Sequence, residues 1–544
     1  MNTTIINGRR RSMVLAPETM VATSQPLAVQ VGIDILKRGG NAIDAAIAVN
    51  AMLGLVEPMS CGLGGDLFAI VWDAGSQSLY GLNGSGCSPY SLTRDVFSDR
   101  ELDRIPLRGV LSWSVPGCVD GWYALNDRFG RLSIADLLAP AITYAEKGFP
   151  VSPVIARAWA GAADLLRKDS ATAETFLPQG DVPACGDVFA NPDLVRSLRA
   201  IASGGRDAFY LGEIGEKIVA ASERLGGYIS MRDLADHEST WVEPIGTPYR
   251  DYEVWELPPN TQGLAALQML RILDGFDLAG MGHNSGDYLH HLVEAKKLAY
   301  EDRARFYADP DFYDLPVDHL LSDEYTARQR ERIDSLHAAR EFPPEPSALH
   351  DGDTVYLTVV DGERNAVSLI QSNYHGFGSG IVPPGVGFAM QDRGALFDLD
   401  PSAANRLEPH KRPFHTIIPG FVTQHGQPAF SFGVMGGDQQ PQGQVQVLCN
   451  VIDFGMDVQQ AGDALRFRHD GSSTPVGDVM NDGGTLNLEP GIPEEVADDL
   501  RARGHNITYK ESGYGGYQGI WIDQERGVLR GGSESRTDGC ACGY

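Results

Sequence analysis

The chain has 544 residues, of which 42% are hydrophobic and 21% are charged, a composition typical of a large globular protein. Lys and Arg number 44 against 72 Asp and Glu, and the resulting net charge of −28 argues against nucleic-acid or anionic-membrane partners. We therefore expect a small-molecule substrate.

Cysteine usage and the N-terminal segment predict where the protein is located. The seven cysteines show neither paired metal-ligand spacing nor the pattern of a disulfide framework. No window approaches 18 apolar residues, and the segment after Arg9, Arg10 and Arg11 lacks the apolar core of a signal peptide. These features predict a reducing, cytoplasmic location, and we expect no metal and no cofactor.

Two helices are predicted near the start of the chain. Residues 26–38 place apolar side chains at helical spacing and end at Gly39-Gly40. Residues 41–56 begin on an N-cap asparagine and are so rich in Ala, Ile, Val and Leu that burial on nearly all sides is expected. The segment CGLGGD, residues 61–66, precedes a strand and has no Lys, which favours a tight turn over a phosphate loop.

The middle of the chain is predicted to be mostly helical. Residues 132–149 and 287–309 show the 3.6-residue period, and the second segment is amphipathic. His290 and His291 lie in it, and because adjacent histidines point to different helix faces, we expect surface or capping roles rather than one metal site. Residues 253–273 predict a strand, a turn at two prolines and another helix.

An exposed loop followed by a buried strand is predicted about two thirds of the way along the chain. Residues 337–353 mix Pro, acidic and small residues, and residues 354–361 form a strand with two apolar faces. Taken alone, Asp353-Thr354 is an ordinary turn and strand start. A loop that can be cut before a rigid strand headed by Thr354 is also what a terminal nucleophile requires.

Several segments occur in one order from about residue 13 to the end of the chain. They include PLAVQVGIDILKRGGNAIDAAIA, VEPMSCGLGGDLFAIV, APAITYAEKGFPVSP, HHLVEAKKLAYEDR, FGSGIVPPGVGF, HKRPFHTIIP, VMGGDQQPQ and GGSESRTDGCACGY. Together they resemble the γ-glutamyltransferase family. Many blocks in one order are far more specific than any single short motif.

The resemblance implies an α/β (α+β) fold, the four-layered αββα sandwich of the N-terminal-nucleophile hydrolases. Such a protein is made as an inactive precursor that cleaves itself before a Thr, which here is Thr354. The expected products are a large subunit, residues 1–353, and a small subunit, residues 354–544, in one intertwined globular unit. A higher oligomer is possible and is not implied by the sequence.

The predicted chemistry needs only one residue as nucleophile and base. The Thr354 hydroxyl attacks the carbonyl of Asp353, and hydrolysis of the ester frees the α-amine of Thr354. An α-amine with a pKa of about 7.7 to 8 is partly neutral at physiological pH and activates the hydroxyl of its own residue. The acyl group of an amide substrate then passes through an ester on Thr354 to water or to an amine.

The resemblance also implies residues that support this chemistry. The N–H groups of Gly436 and Gly437 match the family's oxyanion hole, and Ser372 matches the hydroxyl that supports the nucleophile. His415 and Thr416 occupy the positions of two serines that line the substrate site, so His415 is a departure. Without the resemblance, the Gly-Gly pair predicts a turn and Ser372 a strand-end residue with no role.

Substrate-binding positions depart most from the family pattern. In members that act on glutathione, an Arg holds the α-carboxylate, while an Asn, a Gln and an acid hold the α-amine. These positions fall at Asn83, Tyr374, Arg393 and Leu396, respectively. Losing charged partners from a desolvated site weakens binding strongly. Arg393 either supplies a cation for an acidic acyl group or is a surface residue near a turn.

We therefore predict a γ-glutamyltransferase-like amidohydrolase that removes a γ-glutamyl or glutaryl-like acyl group from a small amide. One alternative is a glutaryl or cephalosporin-type acylase, whose branch of the family has similar motifs, or another amidase that does not act on glutathione. Another is a diverged member with a binding or biosynthetic role. A metal hydrolase is supported only by scattered histidines and by Cys540 and Cys542.

Overall fold

The computed structural model describes residues 11–341 and 353–544, with the backbone alone at Asp353, so the predicted loop 337–353 lies largely outside the described residues. The strands in these ranges are β1 (Val14–Ala16), β2 (Met20–Thr23), β3 (Asp66–Asp73), β4 (Ser78–Gly84), β5 (Phe149–Pro150), β6 (Val188–Phe189), β7 (Thr240–Val242), β8 (Ile245–Tyr249), β9 (Tyr252–Glu256), β10 (Asp353–Val360), β11 (Ala366–Tyr374), β12 (Gly420–Gln424), β13 (Gln427–Val434), β14 (Phe467–Asp470), β15 (Thr485–Leu488), β16 (Asn506–Tyr509), β17 (Tyr517–Asp523), β18 (Val528–Ser533) and β19 (Cys540–Gly543).

Helices form the largest class of regular structure in the described chain. They are α1 (Pro26–Lys37), α2 (Ala42–Val56), α3 (Asp95–Ser98), α4 (Cys118–Phe129), α5 (Ile134–Lys147), α6 (Pro153–Gly161), α7 (Ala163–Leu166), α8 (Ser170–Phe176), α9 (Pro192–Gly204), α10 (Asp207–Tyr210), α11 (Glu213–Arg224), α12 (Met231–Ala235), α13 (Gly263–Leu273), α14 (Leu278–Met281), α15 (Gly286–Phe306), α16 (Val317–Leu320), α17 (Asp323–Glu331), α18 (Gln439–Ile452), α19 (Val458–Asp463) and α20 (Glu494–Ala502). None of these helices is both long enough and apolar enough to span a bilayer.

Two seven-stranded antiparallel sheets form the centre of the molecule. Sheet A has the order β1-β18-β17-β13-β12-β9-β8, and sheet B has the order β19-β2-β10-β11-β3-β4-β7. Each sheet combines strands that precede residue 353 with strands that follow it. Neither part of the chain therefore completes a sheet alone, which fits the predicted intertwined unit, while the division into two subunits stays a prediction.

The sheets and helices stack in four layers. α1 and α2 pack against sheet B, β10 of sheet B packs against β13 and β17 of sheet A, and α13, α18 and α19 cover the other face of sheet A. One apolar core lies around α2 and sheet B and a second around α13, α15 and sheet A. The predicted αββα sandwich is confirmed.

The predicted helix starts follow from local capping. The Asn41 side chain accepts hydrogen bonds from two backbone N–H groups of the first turn of α2, and Asp44 completes a capping box. α2 is buried on nearly all sides, as predicted. In contrast, the expected surface position of His290 and His291 is wrong, since they are only 0% and 5% exposed. Most of α15 is buried, including several charged side chains that pair inside the protein.

Candidate active site

Thr354 and Ser372 form a buried hydroxyl pair on neighbouring central strands of sheet B, which we call the nucleophile pair. Thr354 is 6% exposed, and its Oγ1 lies 3.4 Å from Ser372 Oγ. The backbone N–H of Tyr374 also donates to Ser372 Oγ, at 2.8 Å. The pairing of β10 with β11 shifts register between Asp353 and Val355. Such an irregularity re-aims a side chain, and here it occurs at Thr354.

The Gly436-Gly437 pair lies between β13 and the N-terminus of α18. The two glycines have φ angles of +118° and +58°, a region that side chains with a Cβ rarely adopt. Within the part of the chain that the structure describes, neither N–H donates a hydrogen bond to another residue. Two unused amides next to a helix N-terminus are suited to bind a developing oxyanion.

A continuous series of contacts joins the nucleophile pair to the Gly-Gly pair. The Arg393 guanidinium lies 4.5 Å from the ring centre of Tyr374, and Arg393 Nη1 donates to Thr416 Oγ1 at 2.7 Å. Gln262 Nε2 donates to the carbonyls of Thr416, at 2.6 Å, and of Gly437, at 2.9 Å. The structure thus brings Ser372, Tyr374, Arg393, Thr416 and Gly437 close together, while their roles stay predictions.

Arg393 is completely buried, which contradicts the alternative of a surface arginine. Its Nε and Nη2 atoms have no hydrogen-bond partner among residues 11–341 and 353–544. These two N–H groups form one edge of the guanidinium, the geometry that binds both oxygens of a carboxylate. Burial lowers the pKa of Arg393 to about 10, so the side chain remains charged near neutral pH.

Asp66 and His415 form a second buried pair next to Arg393. His415 Nε2 lies 3.0 Å from Asp66 Oδ2, and both side chains are fully buried. Burial raises the pKa of Asp66 to about 7, although Gln391 and the backbone N–H groups of Gly86 and Gly117 donate hydrogen bonds to it. Burial and the positive charge of Arg393 lower the pKa of His415, so this imidazole is neutral.

Of the four positions that bind the amino-acid part of glutathione in the family, only Arg393 carries a charged side chain here. Asn83 Nδ2 donates to Asn260 Oδ1 at 2.8 Å, and Asn83 Oδ1 accepts from Ser85. Leu396 is buried in an apolar core. Tyr374, in turn, is buried with a φ of +80°, a strained conformation of the kind that occurs at functional sites.

Sequence reasoning missed several residues that hold the site together. Asp66 was assigned only to a tight turn, whereas it begins β3 directly opposite Ser372 in the strand register. Arg303 was assigned to an amphipathic helix, whereas it is buried and donates to Gln262 Oε1 and Asp438 Oδ1 at 2.6 and 2.8 Å. An acidic residue directly before a buried strand was the one available signal for Asp66.

Comparison with known proteins agrees with this geometry. The sequence model of the family described as Gamma-glutamyltranspeptidase matches residues 28–544. The chain is 38% identical to the glutathione hydrolase-like YwrD proenzyme of Bacillus subtilis over 534 residues, which cover 97% of this chain and 99% of that protein. It is 34% identical to the oxamate amidohydrolase proenzyme of Klebsiella pneumoniae over 536 residues, 96% and 98% of the two chains.

A solved structure shows the same fold. The crystal structure of a cephalosporin acylase from Bacillus halodurans superimposes with a TM-score of 0.92 at 44% sequence identity, covering 100% of this chain and 99% of that one. The predictions of the αββα fold and of an amidohydrolase or acyltransferase enzyme are thereby confirmed, while the roles of individual site residues stay predictions. From its matching sequence over nearly the whole length and from its fold, the chain belongs to the γ-glutamyltranspeptidase family.

Proposed function

We propose that this protein is a self-cleaving N-terminal threonine amidohydrolase that acts on small amides whose acyl group carries a carboxylate. The observation that supports the substrate class is the unfilled Nε and Nη2 edge of Arg393. A buried guanidinium with two unpaired donors is costly, and a bidentate carboxylate compensates this cost.

Self-cleavage begins at the bond between Asp353 and Thr354. The Thr354 hydroxyl adds to the Asp353 carbonyl, the C–N bond breaks, and the acyl group moves from nitrogen to oxygen. Water then hydrolyses the ester, leaving a carboxylate on Asp353 and the hydroxyl and α-amine of Thr354. Ser372 Oγ, which lies 3.4 Å from Thr354 Oγ1, orients this hydroxyl for attack.

The same hydroxyl then acts on the substrate. The α-amine of Thr354 accepts the hydroxyl proton while Oγ1 attacks the amide carbonyl, and the N–H groups of Gly436 and Gly437 bind the developing oxyanion. The proton passes to the leaving amine. Water or a second amine releases the acyl group from Thr354 by the reverse sequence of steps.

The residues that bind the α-carboxylate and the α-amine of glutathione in the family are replaced here, which supports a substrate whose acyl group has no α-amine. Leu396 provides no charge, and the Asn83 amide is already engaged by Asn260 and Ser85. Two relatives, a cephalosporin acylase and an oxamate amidohydrolase, are named for substrates other than γ-glutamyl compounds. Oxamate itself carries a carboxylate next to its amide. A cytoplasmic location is also proposed, supported by seven free cysteine thiols.

A γ-glutamyl group also has a carboxylate that can bind Arg393. A panel of substrates therefore has to separate γ-glutamyl amides from amides whose acyl group has no α-amine. We expect the glutaryl anilide to be hydrolysed with a higher kcat/KM than the γ-glutamyl anilide, since no acid or amide at Tyr374 and Leu396 binds the extra ammonium group. The valeryl anilide is the neutral control of similar length and should be the poorest of the three.

Two outcomes of this panel contradict the proposal. Faster turnover of the γ-glutamyl anilide would show that the α-amine is recognised despite the altered positions. Equal turnover of the glutaryl and valeryl anilides would show that Arg393 binds no acyl carboxylate.

A further inference from the structure

Two histidines and a glutamate from distant parts of the chain form a buried cluster outside the active site. His290 and Glu294 lie one turn apart on α15, and His505 lies between α20 and β16. The three side chains are 0%, 1% and 6% exposed, and one ligand atom from each lies within 4.8 Å of the other two. Two imidazoles and a carboxylate are a donor set that Zn²⁺ prefers.

Hydrogen bonds already orient the donor atoms. His290 Nε2 lies 2.8 Å from the carbonyl of Asp334, so Nε2 carries the proton and Nδ1 keeps the lone pair that a cation would bind in place of His505. Glu294 Oε2 accepts from the backbone N–H of Ala339 at 3.1 Å. Such outer contacts hold metal-binding side chains in place in known metal sites.

An ion would replace the hydrogen bond between the two histidines, and since two nitrogen ligands of a tetrahedral Zn²⁺ lie about 3.4 Å apart, the two rings would move apart by about 0.5 Å. His290 Nδ1 lies 2.8 Å from His505 Nε2. In the described ranges, His505 Nδ1 has no hydrogen-bond partner, so the proton of His505 can move to Nδ1 and leave Nε2 as a ligand.

From this arrangement we propose that His290, Glu294 and His505 form a structural Zn²⁺ site. Their hydrogen bonds lead to Asp334, Lys297 and Ala339 and not to the nucleophile pair, so the ion stabilises the fold and takes no part in catalysis. The neighbouring His291 points to a different face of the helix and cannot supply a second imidazole. The second imidazole comes instead from a residue 215 positions away.

The site joins the two parts of the chain that flank the proposed cleavage position. His290 and Glu294 precede Thr354, and His505 follows it. If the chain is cut as proposed, the ion links the two subunits, and this second part of the inference rests on the proposed function. Zinc binding itself does not, because the uncut Thr354→Ala variant retains all three ligands.

Lys297 is the competitor of the ion. Its buried ammonium lies 2.8 Å from Glu294 Oε1 and 2.8 Å from the carbonyl of Ala339. Zinc affinity therefore depends on how strongly Lys297 holds Glu294.

A zinc titration of untagged, chelator-treated protein tests the site. Wild type should bind one Zn²⁺ that His505→Ala binds at least about 100-fold more weakly, since a direct ligand matters more than an outer contact. His291→Gln is the matched control, because His291 is buried on the same helix and, among the described residues, hydrogen-bonds to the Asp287 carbonyl and not to the three proposed ligands. The exposed thiols of Cys185 and Cys542 give an equal background in all variants.

Two further measurements keep the proposal testable if His505→Ala folds poorly. Lys297→Met removes the competing charge and should tighten zinc binding about tenfold. Zinc should also raise the unfolding temperature of wild type, because the ion binds only the folded state, while glutaryl anilide turnover stays unchanged after chelation. Wild type that binds no Zn²⁺ in the titration, or His505→Ala and Lys297→Met variants that bind it as tightly as wild type does, would overturn the proposal.

Discussion

The nucleophile pair and the group around Arg393 lie next to each other but differ in kind. Thr354, Ser372, Gly436 and Gly437 present neutral hydroxyl and amide groups, whose positions are set by the backbone of two strands and one turn. We call the other group the Arg393 cluster, and it consists of Asp66, Tyr374, Arg393, His415 and Thr416. It contains a buried cation, a buried carboxyl group and a buried imidazole.

This difference shows how one fold separates reaction from substrate choice. Hydroxyl and amide groups need only correct placement to stabilise a transition state, so the residues of the family motif suffice. Buried charges, in contrast, are stable only with a partner, and within the described ranges the Nε and Nη2 edge of Arg393 has no hydrogen-bond partner. The partner is then supplied by the substrate, and the residues around Arg393 decide which substrate fits.

Removing the Thr354 hydroxyl should produce the largest effect, because the nucleophile pair then has no nucleophile for either self-cleavage or substrate hydrolysis. Thr354→Ala should remain one polypeptide and lose activity about 10⁴-fold or more, as other enzymes do without their nucleophile. Mass spectrometry of the purified protein checks cleavage, and wild type should show a chain that begins at Thr354. Bound substrate should still contact Arg393.

Thr358→Ala is a suitable control on the same strand. Thr358 Oγ1 lies 2.6 Å from Ser431 Oγ, and its loss should reduce stability without preventing cleavage. A fully active Thr354→Ala protein would favour a metal hydrolase, and a wild type that remains uncut and inactive would favour the binding or biosynthetic role.

Replacing the Arg393 cation should give the next largest effect, confined to acidic acyl groups. Arg393→Gln should lower kcat/KM for the glutaryl anilide about 30- to 1000-fold, because truncating one partner of a buried charge pair costs about 2 to 4 kcal/mol. The kcat/KM for the valeryl anilide should change much less, and the extent of self-cleavage should also change little. Equal losses for both anilides would assign Arg393 a purely structural role.

The sequence was informative for the fold and for the nucleophile, and less so for buried charges. The strand of Thr354 was predictable because its two apolar faces require cover on both sides. The burial of Arg303 and Lys297 was not, because a helix rich in charged residues is usually at the surface and only distant partners reverse this. The burial of Asp66 was not predictable either, since its hydrogen-bond donors are the distant residues Gly86, Gly117 and Gln391.

The smallest expected effect is a pH dependence of substrate preference that comes from Asp66. Below pH 7 Asp66 is protonated and no longer offsets the positive charge of Arg393, which also lies near Asp392; above pH 7 the ionised Asp66 partly cancels that charge. The ratio of kcat/KM for glutaryl and valeryl anilides should therefore fall about threefold to tenfold as the pH rises through this range. Titration of the Thr354 amine cancels in the ratio, since both substrates require it.

Asp66→Asn keeps a neutral side chain of the same shape, with an oxygen that still accepts from Gly86, Gly117 and Gln391. Its ratio should remain at the low-pH value of wild type over the whole range. If the wild-type ratio rises with pH, or if the variant retains the same slope, the dependence comes from another group. The link between Asp66 and Arg393 would then not contribute to substrate choice.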